Sequence, residues 1–230
     1  MSRNSLRHAP LVLAELIIKR MLAGMLWVVW RAKLNPFRFL RTGAASAGRF
    51  YLDQFLRQHA GECRGAFLEF GDPRYRHLFP PEAVERYDII NIVPGPQVSV
   101  VADIQDCPNI PDSSYDVIVC TQVLEHVPNP FRATAELWRI LKPGGRLLLT
   151  VPAAFPYHGA HGDYWRFSRD SLRLLLAERF GDVQITPCGN RLTVVAAYWH
   201  WSQDHLPRRA IQAPDPVSPL LLTAYARKPA

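Results

Sequence analysis

The sequence predicts an α/β fold, a mostly parallel sheet covered by helices on both faces. Two observations predict it. Short apolar segments alternate with helical apolar patterns from about residue 46 onward. Glycine and proline clusters separate those segments, at Gly61, Gly65, Gly71 and Pro143-Gly144-Gly145. The size is compatible: 230 residues with 48% hydrophobic and 20% charged content suffice for one large core plus an extra segment.

That extra segment comes first. Residues 10–30 are dense in Leu, Ile, Val, Met and Trp, interrupted by Glu15, Lys19 and Arg20. The longest apolar run, 21–30, is ten residues, against the roughly 20 that span a bilayer. Arg31 and Lys33 follow instead of a small-residue cleavage site, so no cleaved signal peptide is expected. Two readings stand side by side. One is a helix lying in a membrane interface, with Trp27 and Trp30 suited to that depth. The other is a helix packed on the domain or on a second copy. Residues 35–48 read as a linker, which divides the chain into an arm, 1–41, and a domain, 42–230.

The net charge of +7 belongs to the arm. Residues 1–41 carry eight basic residues and one acid, and the remainder is neutral. A nucleic-acid reader carries its excess on the docking face of the fold, so no nucleic-acid partner is expected. The four cysteines form no C-x-x-C pair, which predicts neither a zinc site nor a disulfide framework and fits a reducing, cytoplasmic setting. His200, Asp204 and His205 match no familiar metal spacing, so no metal is expected.

Within the domain the elements follow in order. A helix covers 49–59, with Phe50, Leu52, Phe55 and Leu56 at helical spacing. Strands cover 66–70, 88–93, 98–102 and 116–120. A helix covers 130–141, with Phe131, Ala135, Trp138 and Leu141 on one face, stopped by Pro143-Gly144-Gly145. A fifth strand covers 146–151. Ser168 caps a helix over 169–179, with Asp170 in its first turn. Strands at 183–186 and 220–225 close the pattern. Ligands of such sheets bind beyond the carboxyl ends of the strands. The loops after Phe70, Asn91, Ala102, Cys120 and Val151 are therefore the ones to inspect. The segment 190–206, with Tyr198, Trp199, His200 and Trp201, reads as an insertion whose aromatics suit a substrate rim or a homodimer contact.

The stretch 114–130, SYDVIVCTQVLEHVPNP, resembles the fourth-strand region of class I S-adenosylmethionine (SAM)-dependent methyltransferases of the type 11 kind. LKPGGRLLL (141–149), Val151-Pro152 and the His158…DYWRF run (163–167) extend the likeness. The resemblance implies a Rossmann-like, mostly parallel seven-stranded sheet with an antiparallel last strand. It also implies SAM as cofactor, and together with the basic arm it leads to the expectation of a small-molecule acceptor, such as a saccharide or a lipid-linked molecule, at a membrane face.

Carried over residue by residue, the family's cofactor loop falls on Glu69, Phe70 and Gly71. Pro73 stands where the pattern has a second glycine, and proline fixes φ and removes an N–H. Asn91 stands where the family has an acid for the ribose hydroxyls. Asp103 falls at the adenine amino contact, Ile104 against the ring, and Thr121 at the end of the fourth strand. Glu69 has a second reading as a cap on the following turn, and Asn91 as a strand-end turn residue. The acceptor side is expected from His126, His158, Tyr164 and Arg166, with His161 and Asp163 in the same loop. A histidine there suits proton removal, and an arginine an anionic acceptor. The alternative is that Tyr164, Trp165 and Phe167 pack this loop while Arg166 pairs with an acid. Glu125 and His126 are expected to open a helix, and Gly159 and Gly162 to let the loop act as a lid.

The leading expectation is an enzyme. A non-catalytic binding or scaffold protein on the same fold is the rival, motivated by Pro73 and Asn91. A nicotinamide oxidoreductase fits poorly, because no G-x-G-x-x-G is present.

Overall fold

The computed structural model describes residues 14, 16–25, 27–28, 46–159 and 162–230. Two compact units divide the chain, Met1–Arg41 and Thr42–Ala230. In the first, all the described residues are helical and exposed. Among the described residues no helix is long and apolar enough to cross a membrane.

The second unit is built on seven strands: β1 (Gly65–Phe70), β2 (Val84–Asn91), β3 (Val100–Val101), β4 (Tyr115–Thr121), β5 (Leu141–Pro152), β6 (Gly181–Cys188) and β7 (Leu221–Arg227). Their order across the sheet is β3-β2-β1-β4-β5-β7-β6. The first five are parallel, and β7 runs antiparallel between β5 and β6. The direction of winding reverses between β1 and β4, which pair through Phe67↔Val117, Leu68↔Ile118 and Glu69↔Val119.

Both faces are buried, so β4 reads as a continuous apolar run whose alternate residues serve different cores. Ile118 and Cys120 join Leu68, Leu137, Leu147, Leu149 and Leu172 on one side. Val117 and Val119 join Leu56, Phe67 and Leu148 on the other. The first side is covered by the helices Pro130–Ile140 and Arg169–Ala177, the second by the helix Ala47–His59. Ser168 caps the helix Arg169–Ala177 through a reciprocal capping box with Ser171, as its sequence position predicts.

Several expectations are corrected. The helix after the LEH stretch buries Ala133, Thr134, Leu137 and Ile140, not the face carrying Phe131, which is 54% exposed. Thr134 is tolerated inside because its hydroxyl donates back to the Pro130 and Phe131 carbonyls. Pro143-Gly144-Gly145 does not stop that helix. The helix ends at Ile140, and the three residues form an irregularity inside β5, where pairing jumps from Tyr115↔Leu141 to Val117↔Arg146. Glu125 and His126 lie in a single 3₁₀ turn, Leu124–His126; the helix proper starts at Pro130, capped by Asn129. Gly48 belongs to a helix rather than a linker, and residues 35–45 lie outside the described residues. The segment after Asn190 forms a helix, Arg191–Tyr198, with its own capping box.

One network steadies the loop that follows β3. Arg139 donates to the carbonyls of Cys107 (2.9 Å) and Ile110 (2.8 Å), to Asp112 (2.7 Å) and to Glu136 (2.8 Å). At the same C-terminal end of the helix Pro130–Ile140, Lys228 donates to the Trp138 (2.9 Å) and Leu141 (2.7 Å) carbonyls, its ammonium 4.0 Å from the Trp138 ring centre. Arg139 holds the Glu136 carboxyl down to about 2, against about 4.3 in an unfolded chain. A depressed carboxylate contributes stability that is complete above the unfolded value and lost as pH falls toward the folded one. Glu136→Gln is therefore expected to destabilise the protein at pH 6. The gap from the unaltered protein should narrow as pH is lowered from about 5 to about 2.5, read by urea denaturation at each pH.

Candidate functional site

The reversal of winding between β1 and β4 opens a crevice above their carboxyl ends, the position where open α/β sheets take ligands. Two clefts meet there. One, of about 360 Å³, is walled by Arg49 and Leu52 of the helix Ala47–His59 together with Glu69, Tyr75, Phe155 and His158. The other, of about 270 Å³, is walled by Asn91, Asp103, Ile104, Val123 and His126. Phe70, Gly71, Thr121 and Gln122 line both. All seven residues expected on the cofactor side thus fall in one continuous groove.

Glu69 shares a face of β1 with Phe67, two residues earlier, and so points toward the helix Ala47–His59. It is 1% exposed. Its carboxylate accepts from the Tyr75 N–H (3.1 Å) and the Tyr87 hydroxyl (2.5 Å). Both readings of this residue are realised, since it caps the loop after β1 and also lines the cleft. Burial pushes its carboxyl up to about 7, against the lowering effect of these donors.

Gly71 adopts φ +88°, and a Cβ built there meets no atom within 4 Å. The glycine satisfies a left-handed turn and leaves its backbone open to close approach by a ligand. Pro73 follows without disturbing it: Arg74 N–H returns to the Asp72 carbonyl (2.8 Å) and Gly71 N–H to that of Ile90 (2.9 Å). On the other side Asn91 ends β2, its amide oxygen 3.5 Å from the Val93 N–H. Asp103 accepts from the backbone and side chain of Gln105. Ile104 is 3% exposed and presents one edge to the cleft.

Sequence reasoning missed Gln122. It sits just past β4 at φ +54°, held by its N–H to the Thr150 carbonyl (2.9 Å) and its side-chain amide to the Thr150 hydroxyl (3.2 Å). Strained non-glycine backbone of this kind persists where surrounding structure enforces it, and it clusters at functional sites. Only its place directly after the fourth strand signals it in the sequence.

The acceptor candidates divide. His126 and His158 come together, ring centres 4.9 Å apart and nearly perpendicular. Arg166 does not serve a ligand. Its five N–H groups go to the carbonyls of Phe155, Pro156 and Trp165 and to both oxygens of Asp163. The same pairing holds the Asp163 carboxyl far below the usual range. Arg166 is therefore the strut of its loop, because an arginine with no spare donor cannot clamp an anion. Phe167 is buried, and the Trp165 indole donates to the Val127 carbonyl (2.9 Å). Tyr164 is 55% exposed, its N–H bound to the Glu125 carbonyl (2.7 Å). His161 lies outside the described residues. His205 is engaged by Ser202.

These residues fit SAM on three counts: a buried acid at one end, a glycine cradle open to close approach, and a second cleft floored by Ile104 and edged by Asn91 and Asp103. Glu69 and Gly71 would hold the methionine part, and Asn91, Asp103 and Ile104 the nucleoside.

Comparison with known proteins agrees. Residues 83–149 match the family model described as a methyltransferase domain. A ubiquinone biosynthesis O-methyltransferase of Xanthomonas euvesicatoria pv. vesicatoria is 35% identical over 80 residues, 33% of this chain and 34% of that protein. A human thiol S-methyltransferase is 40% identical over 67 residues, 29% of this chain and 27% of that protein. The match spans between a quarter and just over half of the length of the curated relatives. Among solved structures, the N-methyltransferase NodS from Bradyrhizobium japonicum, in complex with S-adenosylhomocysteine, superposes with a TM-score of 0.52 at 18% identity, covering 81% of this chain and 89% of that one. The [4+2]-cyclase SpnF superposes with a TM-score of 0.53 at 18% identity, covering 78% and 80%. Strand order and superposition show the fold of the class I SAM-dependent methyltransferases, and residues 83–149 are similar to their methyltransferase domain.

Proposed function

We propose that this protein transfers the methyl group of SAM to a small-molecule acceptor. The observation that carries the reading is the pair of clefts joined at Gly71, Thr121 and Gln122. SAM, when bound, supplies an activated methyl for in-line displacement. The chain's own contribution is placement. Glu69 orients the amino acid part, Asp103 and Ile104 seat the base, and Phe155 and His158 border the space left for an acceptor. His158 is the candidate to take a proton from an acceptor hydroxyl or thiol. The matched relatives are named for O- and S-methylation. A saccharide or a lipid-linked molecule remains the acceptor class favoured by the basic arm.

The rival, a binding protein without catalysis, draws on Asp103, whose carboxylate is already occupied by Gln105. The SpnF likeness adds that the same fold carries a protein named a cyclase. The arm supports a peripheral contact with an anionic membrane. Leu16, Ile17, Ile18, Met21, Leu22 and Met25 are each at least half exposed, on a stretch that also carries Lys19 and Arg20.

Calorimetric titration with S-adenosylhomocysteine tests the central reading. Binding is expected in the micromolar range, and Asp103→Ala should weaken it about 10–100-fold through loss of a charged hydrogen bond. No heat at millimolar ligand removes the enzyme reading. Glu69 adds a pH signature. Its carboxyl is neutral below about 7 and charged above, and the cofactor's ammonium binds the charged form. Affinity should therefore rise as pH increases from 6 to 8, with a proton released on binding. Matched titrations in buffers of different ionisation enthalpy read that proton, and Glu69→Gln should abolish the release. For the arm, flotation with anionic liposomes should carry the full chain and leave a form lacking residues 1–41 behind; equal flotation removes the membrane contact.

A further inference from the structure

Glu125 is wholly buried, yet neither of its carboxylate oxygens has a hydrogen-bond partner among the described residues. Burying a carboxylate unpaired is expensive, so such a group calls for an occupant. Two imidazoles face it, with the charged Arg166–Asp163 pair also near enough to act on it. His126 Nε2 lies 4.0 Å from Glu125 Oε1. One donor atom each from Glu125, His126 and His158 lies within 4.8 Å of the others. The chain brings these residues together from two different loops, one after β4 and one after β5.

The ring nitrogens are already sorted. His126 Nδ1 is 2.5 Å from the Gly162 carbonyl oxygen. A carbonyl only accepts, so Nδ1 carries the proton and Nε2 keeps a lone pair. His158 Nδ1 faces the Pro156 carbonyl (3.1 Å) and Asp163 Oδ2 (3.4 Å), which are both acceptors. Its Nε2 is therefore the lone-pair nitrogen as well. Asp163 is in turn fixed by Arg166. Imidazoles oriented by a carbonyl or carboxylate behind them are the usual arrangement around a bound metal ion.

We propose that Glu125, His126 and His158 form a binding site for a divalent transition-metal ion of the zinc, iron or cobalt class. Two nitrogens and one carboxylate suit that class, whereas magnesium and calcium prefer all-oxygen shells. Bonds of about 2.1 Å place neighbouring donors roughly 3.0–3.5 Å apart. The present spacing needs a contraction of about 1 Å, within reach of a χ rotation of the partly exposed His158. Three protein donors leave open positions. His126 lines the nucleoside-side cleft and His158 the other, so those positions face the junction where an acceptor's oxygen or sulfur would lie. The ion's role toward an acceptor rests on the methyl-transfer reading; the binding site itself does not.

The test is metal binding by the full chain, stripped with EDTA and titrated with Co²⁺ alone under visible absorption. Saturation of a d–d band at one equivalent is expected. Glu125→Gln and His158→Ala should each weaken binding more than tenfold, and Asp163→Asn about 10–100-fold. His77→Ala, an exposed histidine elsewhere, should leave the titration unchanged. Circular dichroism melting verifies that each variant is folded. Should Glu125→Gln not fold, His158→Ala and His158→Gln carry the decision, since that ring is partly exposed. No band up to millimolar Co²⁺, or a band untouched by the His158 and Glu125 changes, overturns the site. S-adenosylhomocysteine calorimetry on the stripped protein is read separately, so failure of the metal site and failure of the methyltransferase reading give different results.

Discussion

The parallel pairing of β1 with β4 is the constraint on which the rest of the site depends. These strands are neighbours in the sheet but 50 residues apart in the chain, joined through the β2–β3 excursion. The loops that leave their carboxyl ends diverge, and the crevice between them is a product of topology before any side chain is chosen. Each wall then follows from strand parity. Glu69 must face the helix Ala47–His59 because Phe67 does, and Thr121 must reach the crevice because β4 ends there.

A second layer of order comes from polar groups spent on loops rather than on ligands. Arg166 ties five donors into one turn, Arg139 gathers the segment beyond β3, and Thr150 holds Gln122 in a left-handed conformation. Loops positioned by a rigid scaffold carry function well only when their own backbone is satisfied. The arrangement explains why the DYWRF run supplies architecture: Asp163 and Arg166 neutralise each other, Trp165 and Tyr164 anchor to the LEH turn, and Phe167 enters the core.

The fold was largely legible because burial on both faces writes short apolar runs into β4 (Val117–Cys120) and β5 (Leu147–Leu149) and because Ser168 announces its helix. The cofactor-side candidates were legible as positions, through the family resemblance, and each lies at or within three residues of the carboxyl end of a strand. The acceptor side was not. Arg166 has the composition of an anion clamp, and only three-dimensional accounting of its five donors removes that role. The inward face of the helix Pro130–Ile140 was misjudged because Phe131 is more apolar than Thr134, while a hydroxyl bonded to its own backbone buries readily. Glu125 and His158 are 33 positions apart, so no spacing rule connects them.

The insertion of β7 between β5 and β6 has a consequence for how the chain is made. Both neighbours emerge from the ribosome before the strand that separates them. Until residues 221–227 arrive, β5 has a bare edge, and β6 has nothing to pair with. Lys228, which closes the carbonyls at the end of the helix Pro130–Ile140, arrives later still. The nascent chain therefore completes its nucleoside-side half early and its β5–β6 half only once β7 has been made, a window in which the unpaired edge of β5 is the surface most in need of protection.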